Sequence, residues 1–464
     1  MKNSAYTKGS IKSKINNQFK NPPVKAKRKY TKKKKDQSLP MKKKLLLLAI
    51  FITILAVIPK FFAISSDYLE SPKSPNIPCI WEICSIDTMK TSRDKARDNL
   101  NNPAYDEDIK QQLKLIKETG ANYVAIDTPY DEEFRPYLER WVKYAREADL
   151  KVWFRGNWSN WEGWFGYEKN MSPDMHLQKT AQFIETNPDL FVSGDIFDPC
   201  PECENVGFWP QPYTDKEYQD FIKKQQENSE TSFRKIKKWV TVHQSIIGGR
   251  AKDVVKDQSS YDTMGKVVAI DHYVKTPQVM SSFIEHFCDT HQTKTLVSEF
   301  GAPIPDLNGS MTDKQQAEFT EQILKVLYER RDTVIGLNYW VLSLGTTSII
   351  DDQGNPKPAY EVLKKYFSPG MIRGTIKNPL DENLTGIVVK TTDGISQTKT
   401  DARGNYELTL PAGDYEIQIE NPDYNHQSGK FLIEQENIKV ANFTLEPKNS
   451  GLIYDLKLWW KNTF

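Results

Sequence analysis

Lys294-Thr295-Leu296-Val297-Ser298-Glu299-Phe300-Gly301 is a short apolar run of β-prone residues that carries one carboxylate to its end and stops at glycine. Alone, it is a strand with an acid at its terminus. Its meaning comes from repetition, because comparable runs occur at 81–86, 123–127, 151–156, 191–197, 239–245, 266–273, 294–301 and 334–341. Between them, residues 108–119, 133–148, 173–186, 215–238, 277–290 and 312–330 place apolar side chains three and four apart, the period of a helix with one buried face. Two helix starts are legible: Thr312 stands three residues before Gln315, and Ser172 precedes Pro173. Eight such units predict a (β/α)8 TIM barrel over 75–368. An open doubly wound sheet would need a Gly-rich phosphate loop after its first strand, and residues 81–87 contain no glycine.

In a barrel of this kind the chemistry gathers at the C-terminal ends of the strands. The polar residues expected there are Asp87, Asp127, Arg155 with Asn157, a cluster after the fourth run, His243, Asp271-His272-Tyr273, Glu299 and Trp340. This set suits a sugar. Arg and Asn bond hydroxyls and orient carboxylates, Tyr contacts a carboxylate nucleophile, and Trp offers an apolar floor to a pyranose face. Trp153, Trp158, Trp161, Trp164 and Phe165 crowd the segment after the third run and extend that expectation to further subsites; closing the top of the barrel is the other use for such rings.

Retaining glycoside hydrolysis takes two carboxyl groups about 5 Å apart, one attacking and one protonating the leaving oxygen. Glu299 supplies one. The other is expected in Asp195-Ile196-Phe197-Asp198-Pro199-Cys200-Pro201-Glu202-Cys203-Glu204-Asn205, which holds four acids in eleven residues. Here the chain resembles the clan A glycoside hydrolases, the barrel superfamily of cellulases, mannanases and galactosidases. In that clan the fourth strand ends in Asn-Glu-Pro bearing the acid/base, the sixth often carries His-x-Tyr, the seventh ends in the nucleophilic Glu and the eighth in Trp. Glu299 and Trp340 match. The sixth run reads Asp271-His272-Tyr273, and Pro201-Glu202-Cys203 stands where Asn-Glu-Pro is expected, so the Asn that would hold the sugar 2-hydroxyl is missing. The resemblance implies Glu299 as nucleophile and Glu202, or Glu204, as proton donor. Arg155, Asn157, Trp158, His243, His272, Tyr273 and Trp340 are the expected substrate contacts. No metal or cofactor is called for. The competing functions are a catalytically inactive glycan-binding barrel and a transglycosylase.

The overall net charge of +2 conceals a basic head, since residues 1–44 carry sixteen Lys or Arg against the single acid Asp36. Residues 45–64 follow, twenty positions interrupted only by Pro59 and Lys60, about the length that spans a bilayer. Positive charge before such a span predicts a cytoplasmic N-terminus, so the head reads as a tail lying on anionic lipid rather than a nucleic-acid site. The expectation is a single transmembrane signal anchor, a linker over 65–74, and an extracytoplasmic enzyme acting on a poly- or oligosaccharide. Secretion after cleavage near Ala63-Ile64-Ser65 is the alternative.

Five cysteines form no disulfide scaffold. Cys79 and Cys84 flank the first run and Cys200 and Cys203 form a tight pair; one or two local disulfides are expected, a zinc site drawing on both pairs is the alternative, and Cys288 is a core residue. After Ser368-Pro369-Gly370 the pattern changes to alternation with Gly-centred turns: Met371-Ile372-Arg373-Gly374-Thr375-Ile376, Gly386-Ile387-Val388-Val389-Lys390, Thr400-Asp401-Ala402-Arg403-Gly404-Asn405-Tyr406 and Ala412-Gly413-Asp414-Tyr415. These phrases resemble the carboxypeptidase regulatory-like domain, which implies a small, all-β, prealbumin-like and non-catalytic sandwich over 371–446. The tail 447–464 alternates Leu452, Tyr454, Leu456, Leu458 and Trp460, as an extra strand or a docking segment would.

Overall fold

The computed structural model describes residues 77–205, 214–291 and 293–463. Nine parallel strands form one curled sheet: β1 (Ile83–Asp87), β2 (Tyr123–Ile126), β3 (Lys151–Phe154), β4 (Ile196–Phe197), β5 (Thr241–Val242), β6 (Ser245–Ile247), β7 (Val267–Asp271), β8 (Lys294–Phe300) and β9 (Val334–Tyr339). They follow one another in the order β5-β4-β3-β2-β1-β9-β8-β7-β6. The two ends of that order are consecutive in sequence and separated only by His243 and Gln244. The first lies within the fifth run expected at 239–245, and the second starts on the last residue of that run, Ser245, and extends past it to Ile247. With this run counted once, eight strand segments and their outer helices fit a (β/α)8 barrel.

The helices form where apolar residues fall at helical spacing. Asp313–Glu329 buries Ala317, Thr320, Ile323, Leu324 and Leu327 on one face, and its Thr312–Gln315 capping box closes in both directions. Ser172 accepts from the backbone N–H of Met175 ahead of Pro173–Thr186. The connection from β6 to β7 differs from the others, with two short helices, Gly248–Val254 and Gln258–Thr263, in place of one long one. The expected strand at 191–197 is shorter than its apolar run, because Pro188–Leu190 is a 3-10 turn and pairing begins only at Ile196.

The two-residue period of the strands determines what fills the barrel. Ile83, Tyr123, Ala125, Trp153, Ile196, Ala269 and Leu296 pack together inside it. Two residues further along the same strands stand Ser85, Asp127, Arg155, Asp198, Asp271 and Ser298, each buried. An apolar plug therefore supports a polar layer at the C-terminal end of the sheet.

The second module is a sandwich of two four-stranded sheets. One joins β10 (Gly370–Lys377) to β13 (Asn405–Leu410), β16 (Ile438–Val440) and β17 (Phe443–Thr444); the other runs β12 (Gln397–Lys399), β11 (Val388–Thr391), β14 (Gly413–Glu420), β15 (Gln427–Ile433). Ile372, Ile376, Val389, Leu408, Ile417 and Ile419 fill the space between them. The sandwich is fastened to the barrel where Arg331 donates to the Ile395 carbonyl at 3.1 Å and Tyr328 bonds Ser396. The tail is not an extra strand: Leu452–Thr463 is an α-helix, tied to the sandwich through Lys461, and Leu452, Leu456 and Trp460 fit its period of about four as well as the alternation noticed in sequence.

Among the described residues no helix is long and apolar enough to cross a membrane. The segment 45–64 lies outside the described residues, as do the basic head and the linker.

Trp153 is fully buried at the centre of the plug. Trp153→Ala is expected to cost about 3–5 kcal/mol, read as a lowered urea midpoint at unchanged slope.

Candidate active site

Arg155 is the cation of the polar layer. It lies two residues beyond Trp153, its guanidinium carbon 5.5 Å from that ring's centre, and it is 1% exposed. Its Nη2 donates to Glu299 Oε1 at 2.7 Å and to Asp271 Oδ2 at 3.0 Å, while Nη1 donates to the Ser298 carbonyl. Ser298 in turn donates to Asp271 Oδ1 at 2.6 Å. Glu299 is presented to Arg155 by a local irregularity. The register of β8 shifts against β7 at Asp271 and against β9 between Val297 and Phe300, so Ser298 and Glu299, adjacent in sequence, both reach inward. The second oxygen of Glu299 accepts from the Tyr273 hydroxyl at 2.7 Å. Burial, followed by the Glu299 charge, raises the Tyr273 phenol well above its ordinary range and keeps it a donor.

Glu202 approaches from the opposite side. One carboxylate oxygen from each of Glu202, Asp271 and Glu299 lies within 4.8 Å of the other two. Glu202 has far weaker support than Glu299: among the described residues its one side-chain donor is the Asn205 amide at 3.5 Å. Burial, reinforced by the charges of Asp271 and Glu204, pushes it up to about 8. Burial and the Asp271 charge also raise Glu299, against the pull of Arg155. With two full donors on Glu299 and none comparable on Glu202, the pair holds its negative charge on Glu299 and its proton on Glu202.

Glu202 belongs to a closed loop. Cys200 and Cys203 form a disulfide around Pro201 and Glu202, and Glu202 has a left-handed backbone with φ of 48°. Its N–H donates to the Ser245 carbonyl at 3.2 Å. Asp198, at the end of β4, ties this loop to the broken fifth strand. One oxygen accepts from Cys200 N–H at 3.2 Å and the other from Ser245 N–H at 3.0 Å and from its hydroxyl. Burial pushes Asp198 up to about 7.

A cleft of about 370 Å³ opens above these groups, and Glu299, Glu202, Arg155, Asn157, Tyr273 and Trp340 line it. Trp340 meets Tyr273 edge to face, with ring centres 6.0 Å apart. Asn157 is at the wall with its polar atoms engaged: its amide donates to Glu162 Oε1 at 2.6 Å, and its oxygen accepts from Trp158 N–H at 2.8 Å.

Four expected residues are placed elsewhere. Glu204 turns away, holding the Tyr218 hydroxyl at 2.7 Å and the Ile247 N–H. Trp158 is buried against Tyr130 and Phe183 and donates to Thr180 at 3.1 Å. His272 faces away from the cleft, its ring 4.0 Å from that of Phe283, because it follows the inward Asp271 by one residue. His243 is buried in the break between β5 and β6, where burial pushes it down to about 4 and keeps it neutral. Among the other aromatic residues, Trp164 lines the cleft with Arg93 over its ring at 4.8 Å, whereas Trp153 and Trp161 are core and Phe165 packs on Phe134.

Two cleft acids were not singled out as contacts in the sequence. Asp127 is 1% exposed; among the described residues neither of its oxygens accepts a hydrogen bond, and Arg155 Nε stands 4.0 Å from Oδ1. Burial and the Asp87 charge raise it well above the usual carboxylate range against the pull of Arg155, and so favour its neutral form. Glu162, pushed up to about 7 by burial, was concealed within the tryptophan-rich run. Its only sequence signal is its position as the one acid among those rings.

Two groups of metal-ligating residue types come together among the described residues. In His176, Cys200 and Cys203 the two sulfurs are bonded to each other, and in Glu202, Asp271 and Glu299 the Arg155 guanidinium already occupies the cationic position. Cys79 and Cys84 form a second disulfide, and Cys288 is a buried free thiol 3.6 Å from the Thr295 hydroxyl.

Residues 371–446 match the model of the carboxypeptidase regulatory-like domain. The C-terminal module is such a domain. No curated protein matches the sequence. Among solved structures, the chain is similar to the GH53 catalytic domain of Ignisphaera aggregans, at 16% identity and a TM-score of 0.46 over 62% of this chain and 97% of that one. It is also similar to GH5_18 from Streptomyces cattleya in complex with GlcNAc, at 14% identity and 0.47 over 61% and 79%. A third is the exo-β-1,4-mannosidase Op5Man5 from Opitutaceae bacterium strain TAV5, at 12% and 0.43 over 64% and 62%. At such distances the functional reading rests on the cleft's own residues.

Arg155→Met would leave Asp271 and Glu299 buried without their cation. The expected loss is about 3–5 kcal/mol, read as a lowered midpoint in urea titrations at neutral pH.

Proposed function

We propose that this chain is a retaining glycoside hydrolase acting on a β-linked glycan, with Glu299 as nucleophile and Glu202 as acid/base. The observation that carries this is the Glu202 to Glu299 approach within 4.8 Å, close to the roughly 5 Å of a retaining pair; the two donors on Glu299 favour it as the ionised member. Glu299, fixed by Arg155 and Tyr273, attacks the anomeric carbon while Glu202 gives its proton to the leaving oxygen. A covalent glycosyl-enzyme results. Water then attacks the same carbon as Glu202, now ionised, takes the proton back. Transfer to a sugar hydroxyl in place of water would use the same two groups.

The rest of the cleft supports a sugar. Neutral Asp127 can both donate to and accept from a hydroxyl, which suits a ring bound over Arg155 where the usual Asn is missing. Trp340 and Trp164 give apolar walls. We place the enzyme outside the cytoplasm, held by residues 45–64 with the basic head on the inner leaflet. The two disulfides suit that compartment. The C-terminal domain is assigned no catalytic part.

A 2-deoxy-2-fluoro glycoside of the correct sugar should add its glycosyl mass to Glu299, mapped by peptide mass spectrometry, and Glu299→Gln should lower kcat by at least about a thousandfold while ligand still binds. Adduct formation elsewhere, or unchanged turnover, would remove the assignment. For the donor, kcat/KM should fall as pH rises through about 8, where Glu202 loses its proton. That alkaline limb should vanish in Glu202→Gln assayed with dinitrophenyl glycosides, whose leaving group needs no acid.

A further inference from the structure

We infer that the sugar bound beside Glu299 carries a free amino group received by Asp127, so that the substrate is a β-linked glycan of 2-amino-2-deoxy hexose. The inference rests on the glycosidase reading above and names its substrate class. Among the described residues the buried aspartates are Asp87, Asp127, Asp195, Asp198 and Asp271. All but one are supplied with donors by the protein. Asp87 accepts from Met89 N–H at 2.7 Å and from the Asn338 amide at 3.1 Å. Asp195 accepts from the N–H groups of Val152 and Val192 and from Arg146, Asp198 from Cys200 and Ser245, and Asp271 from Arg155 and Ser298. Asp127 accepts from none of the described residues, and Arg155 Nε, 4.0 Å from its Oδ1, stops short of hydrogen-bond length. Its neighbour Asp87 is a like acid, whose charge opposes its own. Because Asp127 lines the cleft, the donors it lacks are left for whatever enters.

Charge decides what enters. Asp127, Glu162, Glu202 and Glu299 line the cleft against Arg93 and Arg155, and both arginines are engaged: Arg155 holds Glu299, Asp271 and the Ser298 carbonyl, and Arg93 pairs with Asp94 at 2.8 Å. A sugar hydroxyl would bring one donor and no charge, whereas an ammonium brings three donors and the missing charge. In the empty cleft a proton on Asp127 offsets the cost of two adjacent buried acids, and a bound ammonium takes that proton's place. The geometry selects the carbon. Arg155 Nη2 bonds Glu299 and its Nε faces Asp127, so one guanidinium separates the two acids. With Glu299 against the anomeric carbon, the adjoining carbon 2 is the position whose amino group falls toward Asp127. Acetylation of that nitrogen would remove the charge and leave a single donor.

The test is calorimetric titration of the full-length chain carrying Glu299→Gln with three β-1,4-linked pentamers: of glucosamine, of N-acetylglucosamine and of glucose. The glucosamine pentamer should bind at least about a hundredfold more tightly than either of the others. Adding Asp127→Asn, which keeps the shape and removes the charge, should reduce that margin to below about tenfold. Equal affinity for the three pentamers overturns the inference. So does a margin that survives Asp127→Asn, since the preference would then belong to the acidic surface at large. Should the double variant fail to fold, the comparison of the three pentamers with Asp127 in place still decides. Catalysis is judged apart from this: tight, Asp127-dependent binding of the glucosamine pentamer without a covalent adduct on Glu299 would remove the hydrolase reading and leave this one, and an adduct on Glu299 without amino preference would do the reverse.

Discussion

One buried guanidinium holds this site together. Arg155 reaches two carboxylates and a carbonyl, and Asp87, Asp127 and Asp198 are buried in the same polar layer. A single positive charge cannot neutralise all of these acids, so the layer is stable only if several keep their protons. Burial raises Asp87, Asp127, Asp198 and Glu202 in common, and proximity to Arg155 determines where the remaining negative charge concentrates. The division of labour between the two glutamates is therefore a property of the whole layer.

Placement of that charge is backbone geometry. Simple alternation along β8 would turn Glu299 away from the interior whenever Ser298 faced it. The register shifts on both sides of β8 let Ser298 brace Asp271 and Glu299 meet Arg155 and Tyr273 together. The Trp153 plug beneath stops Arg155 from sinking, so its hydrogen bonds point upward into the cleft.

Much of this was legible in sequence, because period-2 runs and helical spacing report burial directly, and Glu299, Arg155, Tyr273 and Trp340 occupy the strand ends where those runs stop. The errors have a common origin. Proximity to a strand end does not say which face a side chain takes: Asp271 and Tyr273 point in, and His272 between them points out onto Phe283. Glu204 lies two residues past Glu202 in a loop without periodicity, so nothing in sequence revealed that Tyr218 and Ile247 would claim it. The break at His243 and Gln244 depends on Asp198 capturing Ser245, a contact 47 residues long that no local pattern announces. The tail was left open between a strand and a docking segment because Leu452, Leu456 and Trp460 fit a period of two as well as a helical one, and the contact through Lys461 is not announced by either.

The Cys200–Cys203 ring encloses only Pro201 and Glu202. A loop this short has almost no conformations to lose, so its closing adds little to the stability of the chain as a whole. What the bond restricts is the set of positions from which one carboxyl can face Glu299. Folding and the placing of this carboxyl are thereby separable: the barrel can assemble on its apolar plug with both thiols free, and Glu202, the proposed proton donor, is locked opposite Glu299 only when two electrons have left the chain. The polypeptide would carry, in two sulfur atoms, a record of whether it has reached an oxidising compartment.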